Sequence, residues 1–206
     1  HLTFASGFNL VGSNTTTFTT AIAGSVEFLG GIGQSFGSSN LTKATGPGTM
    51  VISGAATYSG TTTINQNGGA IVLSGEGALY NTSTITVNIG GQLVLDNNSG
   101  VNKDNRVSNA AGITLTGGKL TLIGKSGELS TESLGIIQLS DNTSSIIESI
   151  VSPLAGSEAE WRIDSIDRGD VGQLAGEFVR FVGRGQDIGA STKNRFAFVV
   201  APSRMN

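Results

Sequence analysis

The residues best equipped for chemistry lie in one charged segment near the carboxyl end of the sequence. The segment holds five acidic and two basic side chains: Glu158, Glu160, Asp164, Asp167, Asp170, Arg162 and Arg168. Paired carboxylates can act as general acid and base in the hydrolysis of glycosidic bonds. However, the letters WRIDSID alternate, which predicts that Trp161, Ile163 and Ser165 face one side of a strand while Arg162 and Asp164 face the other. Cross-strand ion pairing on a solvated wall explains the charges without catalysis, so we predict that the chain is not an enzyme.

A second candidate is an acidic and amide-rich stretch in which every second residue offers an oxygen or a turn. Its members are Asp96, Asn98, Gly100, Asn102 and Asp104. Calcium loops take oxygen ligands with this spacing, but the closing Glu of an EF-hand and the nonapeptide calcium motif are both missing. We keep Asp96, Asn98, Asn102 and Asp104 as calcium ligands to be tested, with turn formation as the competing interpretation. No other metal or cofactor is predicted.

The remaining chemistry is limited by what the composition lacks. His1 is the sole histidine and there is no cysteine, which argues against a Ser-His-Asp triad and against zinc-thiolate sites. The tripeptide Arg168-Gly169-Asp170 matches a cell-attachment motif and suggests adhesion, although a glycine between two charges is also an ordinary turn.

A repeated segment determines how these residues must be positioned. Four stretches align by their glycines: GTMVISG from Gly48, GAIVLSG from Gly69, GQLVLDN from Gly91 and GKLTLIG from Gly118. Their spacings, taken from these residue numbers, are 21, 22 and 27 residues. Apolar and polar residues alternate with period two inside each stretch, which predicts strands. Gly-Gly pairs between the strands supply corners.

A short period that contains two or three strands is typical of a solenoid. We predict an all-β, single-stranded, right-handed parallel β-helix with coils of about 21–27 residues. Equivalent inward residues then stack from coil to coil in two apolar columns. One column contains Met50, Ile71, Leu93 and Leu120, and the other contains Ile52, Leu73, Leu95 and Leu122. An antiparallel β-sandwich is the alternative, because it also has many short strands, but sandwich strands seldom copy one another.

We interpret residues 1–206 as one continuous solenoid without a linker. Residues 39–125 form its regular core, and residues 126–206 form more degenerate and more highly charged coils. Residues 96–111 are predicted to form a polar loop that bulges from the longest coil. Four phenylalanines near the carboxyl end are predicted to pack on the core: Phe178, Phe181, Phe196 and Phe198.

The run GPGTMVISGAATYSGTTTINQNGGAIVLSG, residues 46–75, resembles the autotransporter-associated β-strand repeat, whose pattern is roughly G-x-G-T-L-x-L-S-G-x-N-T-Y-T-G-x-T-T-I-N-x-G-T-L-x-L-S-G. It departs from this pattern at Ala56, where the family usually has Asn, and by one extra residue near Asn67–Gly69. Later stretches, including GITLTGGKLTLIG and SLGIIQLSDNTSSIIESI, resemble the family more loosely. The resemblance implies a right-handed β-helix in a surface-exposed or secreted bacterial protein, often within a very long chain. It carries over no catalytic residues.

The resemblance implies an extracellular structural role, and the composition limits the partners. A net charge of −3 argues against nucleic acid and anionic membranes as main partners, and no apolar run is long enough to span a bilayer. We predict a segment of a cell-surface fibre or filament that joins itself end to end or belongs to a longer parent chain. The alternatives are an adhesin or phage-fibre module for glycan or a host receptor, and then a polysaccharide-degrading β-helix enzyme.

Overall fold

The computed structural model describes residues 1–20, 24–140, 142–168, 178–185 and 193–200 of the chain. These residues form strands, turns and bends, and every strand pairs in parallel with its neighbours. The predicted β-solenoid is therefore confirmed, and the antiparallel sandwich is wrong. Within this described part there is no helix with the length and apolar character needed to cross a membrane.

Three parallel sheets, A, B and C, form the walls of the solenoid. In stacking order, sheet A consists of β1 (Leu2–Phe4), β4 (Ser25–Phe28), β7 (Thr49–Ile52), β10 (Gly69–Leu73), β13 (Gly91–Asp96), β15 (Lys119–Ile123), β17 (Ser144–Ile150) and β19 (Phe178–Arg184). Sheet B consists of β2 (Phe8–Leu10), β5 (Ile32–Gln34), β8 (Ala55–Ala56) and β11 (Ala78–Leu79). Sheet C consists of β3 (Thr15–Phe18), β6 (Asn40–Lys43), β9 (Thr61–Ile64), β12 (Thr84–Asn88), β14 (Gly112–Thr116), β16 (Leu129–Leu139), β18 (Glu158–Asp167) and β20 (Asn194–Phe198).

The two apolar columns run through sheet A in the register that the glycine alignment predicts. Ile71 lies beside Met50 on one side and beside Leu93 on the other, and Leu120 follows Leu93. The second column stacks in the same way: Ile52, Leu73, Leu95 and Leu122. All eight side chains are at most 1% exposed. Burial of each contributes about 1.5–3 kcal/mol, and the repeat is thus the source of the core.

The corners of the coils require residues that tolerate a left-handed backbone. Gly69 has φ of 67°, and a Cβ at this position would overlap the carbonyl oxygen of Gly48 in the coil below. Asn67 enters the same region with φ of 53°, which asparagine tolerates better than most residues. The chain therefore turns tightly enough for successive coils to stay in register.

The polar stretch 96–111 differs from the bulging loop that the sequence predicts. Asp96 ends β13, and Val107 forms a parallel bridge with Leu79 at the position of a further sheet B strand. Arg106 and Val107 are at most 1% exposed. The loop prediction was wrong for these residues because the stretch returns to the wall and closes the coil.

Candidate functional site

The charged segment of β18 alternates as predicted from Trp161 to Asp164. The prediction for Ser165 was wrong, because Ser165 lies beside the exposed Ile136 and Ile166 is the next buried residue of the strand. One acid of the segment is also buried. Trp161 and Ile163 are fully buried, and Arg162 and Asp164 are exposed. Glu160 is only 3% exposed, and its two carboxylate oxygens bind two guanidinium groups. Arg162 Nη2 lies 3.1 Å from Oε2, and Arg195 Nη2 lies 2.9 Å from Oε1. Both oxygens of this carboxylate are thus engaged in ion pairs, an arrangement suited to holding strands together.

The other predicted charges lie along the same outer face. Asp164 and Asp167 are exposed, whereas Glu158 and Arg168 are half-buried. Asp170 and Gly169 fall outside the described residues, so the tripeptide Arg168-Gly169-Asp170 is described only at its first position. The adhesion interpretation of this tripeptide and the absence of enzymatic activity both stay predictions.

A second buried carboxylate, on the outer face of sheet A, was missed by the sequence. Glu148 is 2% exposed and accepts a hydrogen bond from Thr121 at 3.2 Å. Lys119 Nζ lies 2.6 Å from its Oε2, and Arg184 Nε binds its Oε1. Burial alone would raise the pKa of Glu148, but the hydrogen bonds from Lys119 and Arg184 outweigh it and hold this pKa below its ordinary value. Lys119, Glu148 and Arg184 lie on three neighbouring strands of sheet A. Opposite charges on the outward positions of these three segments are the sequence signal that could have predicted the ion-pair cluster.

The predicted calcium ligands are engaged with the protein itself. Asp96 Oδ1 accepts the backbone N–H groups of Asn98 and Ser99, which is an Asx turn. Asn98 Oδ1 accepts the backbone N–H and the hydroxyl of Ser126 in the next coil. The competing interpretation, turn formation, therefore describes the amino-terminal half of this stretch.

The carboxyl-terminal half of the stretch binds the next coil as well. Asn102 Oδ1 accepts the hydroxyl of Ser130 at 2.7 Å, and Asp104 Oδ1 accepts the backbone N–H of Thr131 at 3.1 Å. In the described part of the chain, His, Asp and Glu side chains form no group of three that could hold a metal ion. Calcium binding by these residues is untested, and the hydrogen bonds give these oxygens a structural use.

Arg106 lies at the centre of a buried polar network that joins the turn at residues 75–77 to residues 96–101. It is fully buried, and its five N–H groups are all donated to oxygen atoms. The Nε atom donates to Asn97 Oδ1 at 2.6 Å. The Nη atoms donate to four backbone carbonyl oxygens: those of Gly75, Gly77, Asp96 and Val101. A guanidinium is suited to this task because it presents five donors in a fixed plane.

Glu132 completes the network from the next coil. Its Oε2 accepts the backbone N–H of Arg106 at 2.8 Å, and its Oε1 accepts that of Val107 at 2.9 Å. The side chain points inward beside Trp161 and is fully buried. Burial raises the pKa of Glu132 to about 8, although the two N–H groups and the charge of Arg106 act in the opposite direction. The network holds stretch 96–111 against the wall.

His1 has neighbours that the sequence could not place. Ser25 Oγ lies 2.5 Å from His1 Nδ1, and Thr3 Oγ1 and Glu27 Oε2 lie 2.8 Å and 3.4 Å from Nε2. Serine, imidazole and carboxylate are thus adjacent on the outer face of sheet A. A nucleophilic serine also needs N–H donors for the developing oxyanion, whereas strand N–H groups lie in the plane of the sheet. The group is a surface hydrogen-bond cluster.

Phenylalanine rings lie over the core at both ends of the solenoid. At the amino end, Phe4 stacks on Phe28 with ring centroids 5.0 Å apart, and Phe8 packs edge-on against both rings. At the carboxyl end, Phe181 packs edge-on against Phe196 and Phe198 at 5.0 and 5.5 Å. The prediction for Phe178 was wrong, because it faces outward on β19 and is 56% exposed.

Comparisons with protein-family models, with curated proteins and with solved structures found no match to this chain.

Proposed function

We propose that the chain is a structural segment of an extracellular fibre or filament of the bacterial cell surface. Its end coils join further coils, supplied by another copy or by a longer parent chain. The observation that supports this most directly is the continuity of the columns. The column of Leu73 runs in unbroken register from Phe4 in β1 to Gly183 in β19.

Both ends of this column suit a further coil. Among the described strands, β1 pairs only with β4 and β19 pairs only with β17. Within this described part, each of the two therefore presents an unpaired edge with backbone donors and acceptors. A copy stacked in the same register places the ring of Phe4 over Gly183, where no side chain stands. It also places Leu2 over Phe181, since these residues end the neighbouring column. This is a head-to-tail contact between two different surfaces, which generates filaments.

Negative-stain electron microscopy of the purified chain at high concentration tests the proposal. We expect rods of varying length for the unaltered chain and single particles for Phe4→Lys, because a charge then lies over the core of the neighbouring copy. Ile89→Lys, at a corner where the residue is 49% exposed, is the matched control and should keep the rods. A monodisperse monomer for the unaltered chain contradicts end-to-end joining of copies.

A further inference from the structure

The outer face of sheet C carries a column of threonines through five successive strands. Thr17, Thr42, Thr63, Thr86 and Thr114 are direct partners from β3 to β14. All five point away from the core, because their neighbours on either side along each strand are the more buried residues. The column therefore repeats one side chain at the spacing of the strands.

A second column stands two residues earlier on the same face. It contains Thr15, Asn40, Thr61, Thr84 and Gly112. Asn88 and Thr116 extend the face by a further position on the last two of these strands. None of these outward side chains carries a charge. The face is thus an uncharged array of hydroxyl, methyl and amide groups.

The array repeats in two directions. Partner residues on adjacent parallel strands are about 4.8 Å apart, and residues i and i+2 along a strand are about 6.6 Å apart. Threonine is stiff at χ1 because it is branched at Cβ, so its hydroxyl and methyl groups lose little freedom when a ligand fixes them. Such a surface suits a ligand that itself repeats in two dimensions.

In the first column, that of Thr63, hydroxyl groups are free to bind such a ligand. Within the described part of the chain, those of Thr42, Thr63 and Thr86 make no hydrogen bond to protein atoms. The inward Thr62 behaves differently, since its hydroxyl bonds Tyr58 at 2.6 Å and Thr82 at 3.0 Å. Each free hydroxyl offers one donor and two acceptor positions.

We infer that the outward residues of these two columns, together with Asn88 and Thr116, form a threonine face that binds the ordered water lattice at the surface of ice. Ice is uncharged, repeats in two dimensions at distances comparable to those of the array, and both donates and accepts hydrogen bonds. The methyl groups exclude mobile water, and the hydroxyl groups take lattice positions. The inference is independent of end-to-end assembly, because it uses a side wall.

The face has a defined boundary at its carboxyl-terminal side. Gln138 follows Thr114 in the column, and Asp167 follows Gln138. Both are exposed, and the carboxylate of Asp167 is a charged, strongly hydrated group. The binding face therefore covers the first five strands of sheet C and ends before β16.

The test is thermal hysteresis, the gap between the melting and freezing temperatures of a seed crystal, together with the shape of the growing crystal. The unaltered chain is expected to open a measurable gap and to facet the crystal. Thr63→Lys, which places a flexible charge at the centre of the array, should abolish most of both effects. Thr86→Tyr serves as a second variant if Thr63→Lys does not fold, because tyrosine is well tolerated in strands.

Thr49→Lys is the matched control, since Thr49 is an equally half-buried outward threonine on sheet A. Its hysteresis should equal that of the unaltered chain, and circular dichroism should give the same melting temperature for all folded variants. Two outcomes overturn the inference. One is a gap no larger than that of serum albumin at equal concentration, and the other is an equal loss in Thr49→Lys and Thr63→Lys.

Discussion

Glu132 Oε2 accepts the backbone N–H of Arg106 at 2.8 Å inside the solenoid, where neither residue is exposed to solvent. The contact joins two successive coils across the stretch that departs most from the repeat. A buried carboxylate in this position makes the stability of the coil depend on its protonation.

The first prediction concerns pH. The pKa of Glu132 is about 8 in the folded chain, above its ordinary value of 4.5. Its contribution to stability is therefore fully present below pH 4.5 and is lost as the pH rises through 8. The free energy of unfolding should fall by up to about 1.4 kcal/mol per pH unit within this window. Urea unfolding at intervals from pH 4 to 9 measures the slope.

Glu132→Gln isolates this contribution from other titrating groups. The amide nitrogen cannot accept a hydrogen bond, so one of the two N–H groups loses its acceptor and the variant should be less stable at pH 5. The difference from the unaltered chain should narrow as the pH rises towards 9. A constant difference across this range would contradict the prediction.

The second prediction concerns Arg106. Removal of its side chain leaves four carbonyl oxygens without the guanidinium that they bind, and it takes from Asn97 Oδ1 the shorter of its two hydrogen bonds. We expect Arg106→Ala to lower the free energy of unfolding by at least about 3 kcal/mol. Arg106→Lys should recover only part of this loss because an ammonium has three donors. Lys103→Ala is the control, since its pairing with Glu76 is solvent-accessible and should cost at most about 1 kcal/mol.

The apolar columns could be predicted from the sequence, while the Arg106 network could not, for one physical reason. Met50, Ile71 and Leu93 occupy equal positions in segments that nearly copy each other, so one alignment gives both strand and register. Arg106 occurs once, in an insertion that no other coil contains. Its partners Gly75 and Glu132 are distant in sequence, and no periodic pattern joins them.

The charged residues show an intermediate case. Alternation in β18 correctly predicts which side Trp161 and Arg162 face. It does not predict that Glu160 is buried with both carboxylate oxygens in ion pairs, because one of its two partners, Arg195, comes from the next coil. The alternation of apolar and polar residues predicts which side of the strand a side chain faces. How exposed that side chain is depends on whether long neighbouring side chains cover it.

The third prediction concerns calcium. Asp96, Asn98, Asn102 and Asp104 already bind donors in their own or the next coil, and a cation would have to displace these contacts. We expect millimolar calcium to produce no heat in titration calorimetry and EDTA to leave the melting curve unchanged. A saturable heat that Asp96→Asn and Asp104→Asn remove would instead establish the site.

The last prediction tests the columns that define the fold. Leu73 is fully buried between Ile52 and Leu95, and Leu73→Ala leaves a cavity between two coils that cannot collapse without breaking strand pairing. We expect a loss of about 2–5 kcal/mol in urea unfolding. Val72→Ala is the matched control one residue away, since Val72 faces outward and is half-buried, and it should lose less than half as much. If Leu73→Ala and Val72→Ala lower the free energy of unfolding equally, the inward and outward positions of β10 are energetically equivalent. That result would contradict a core built on the apolar column.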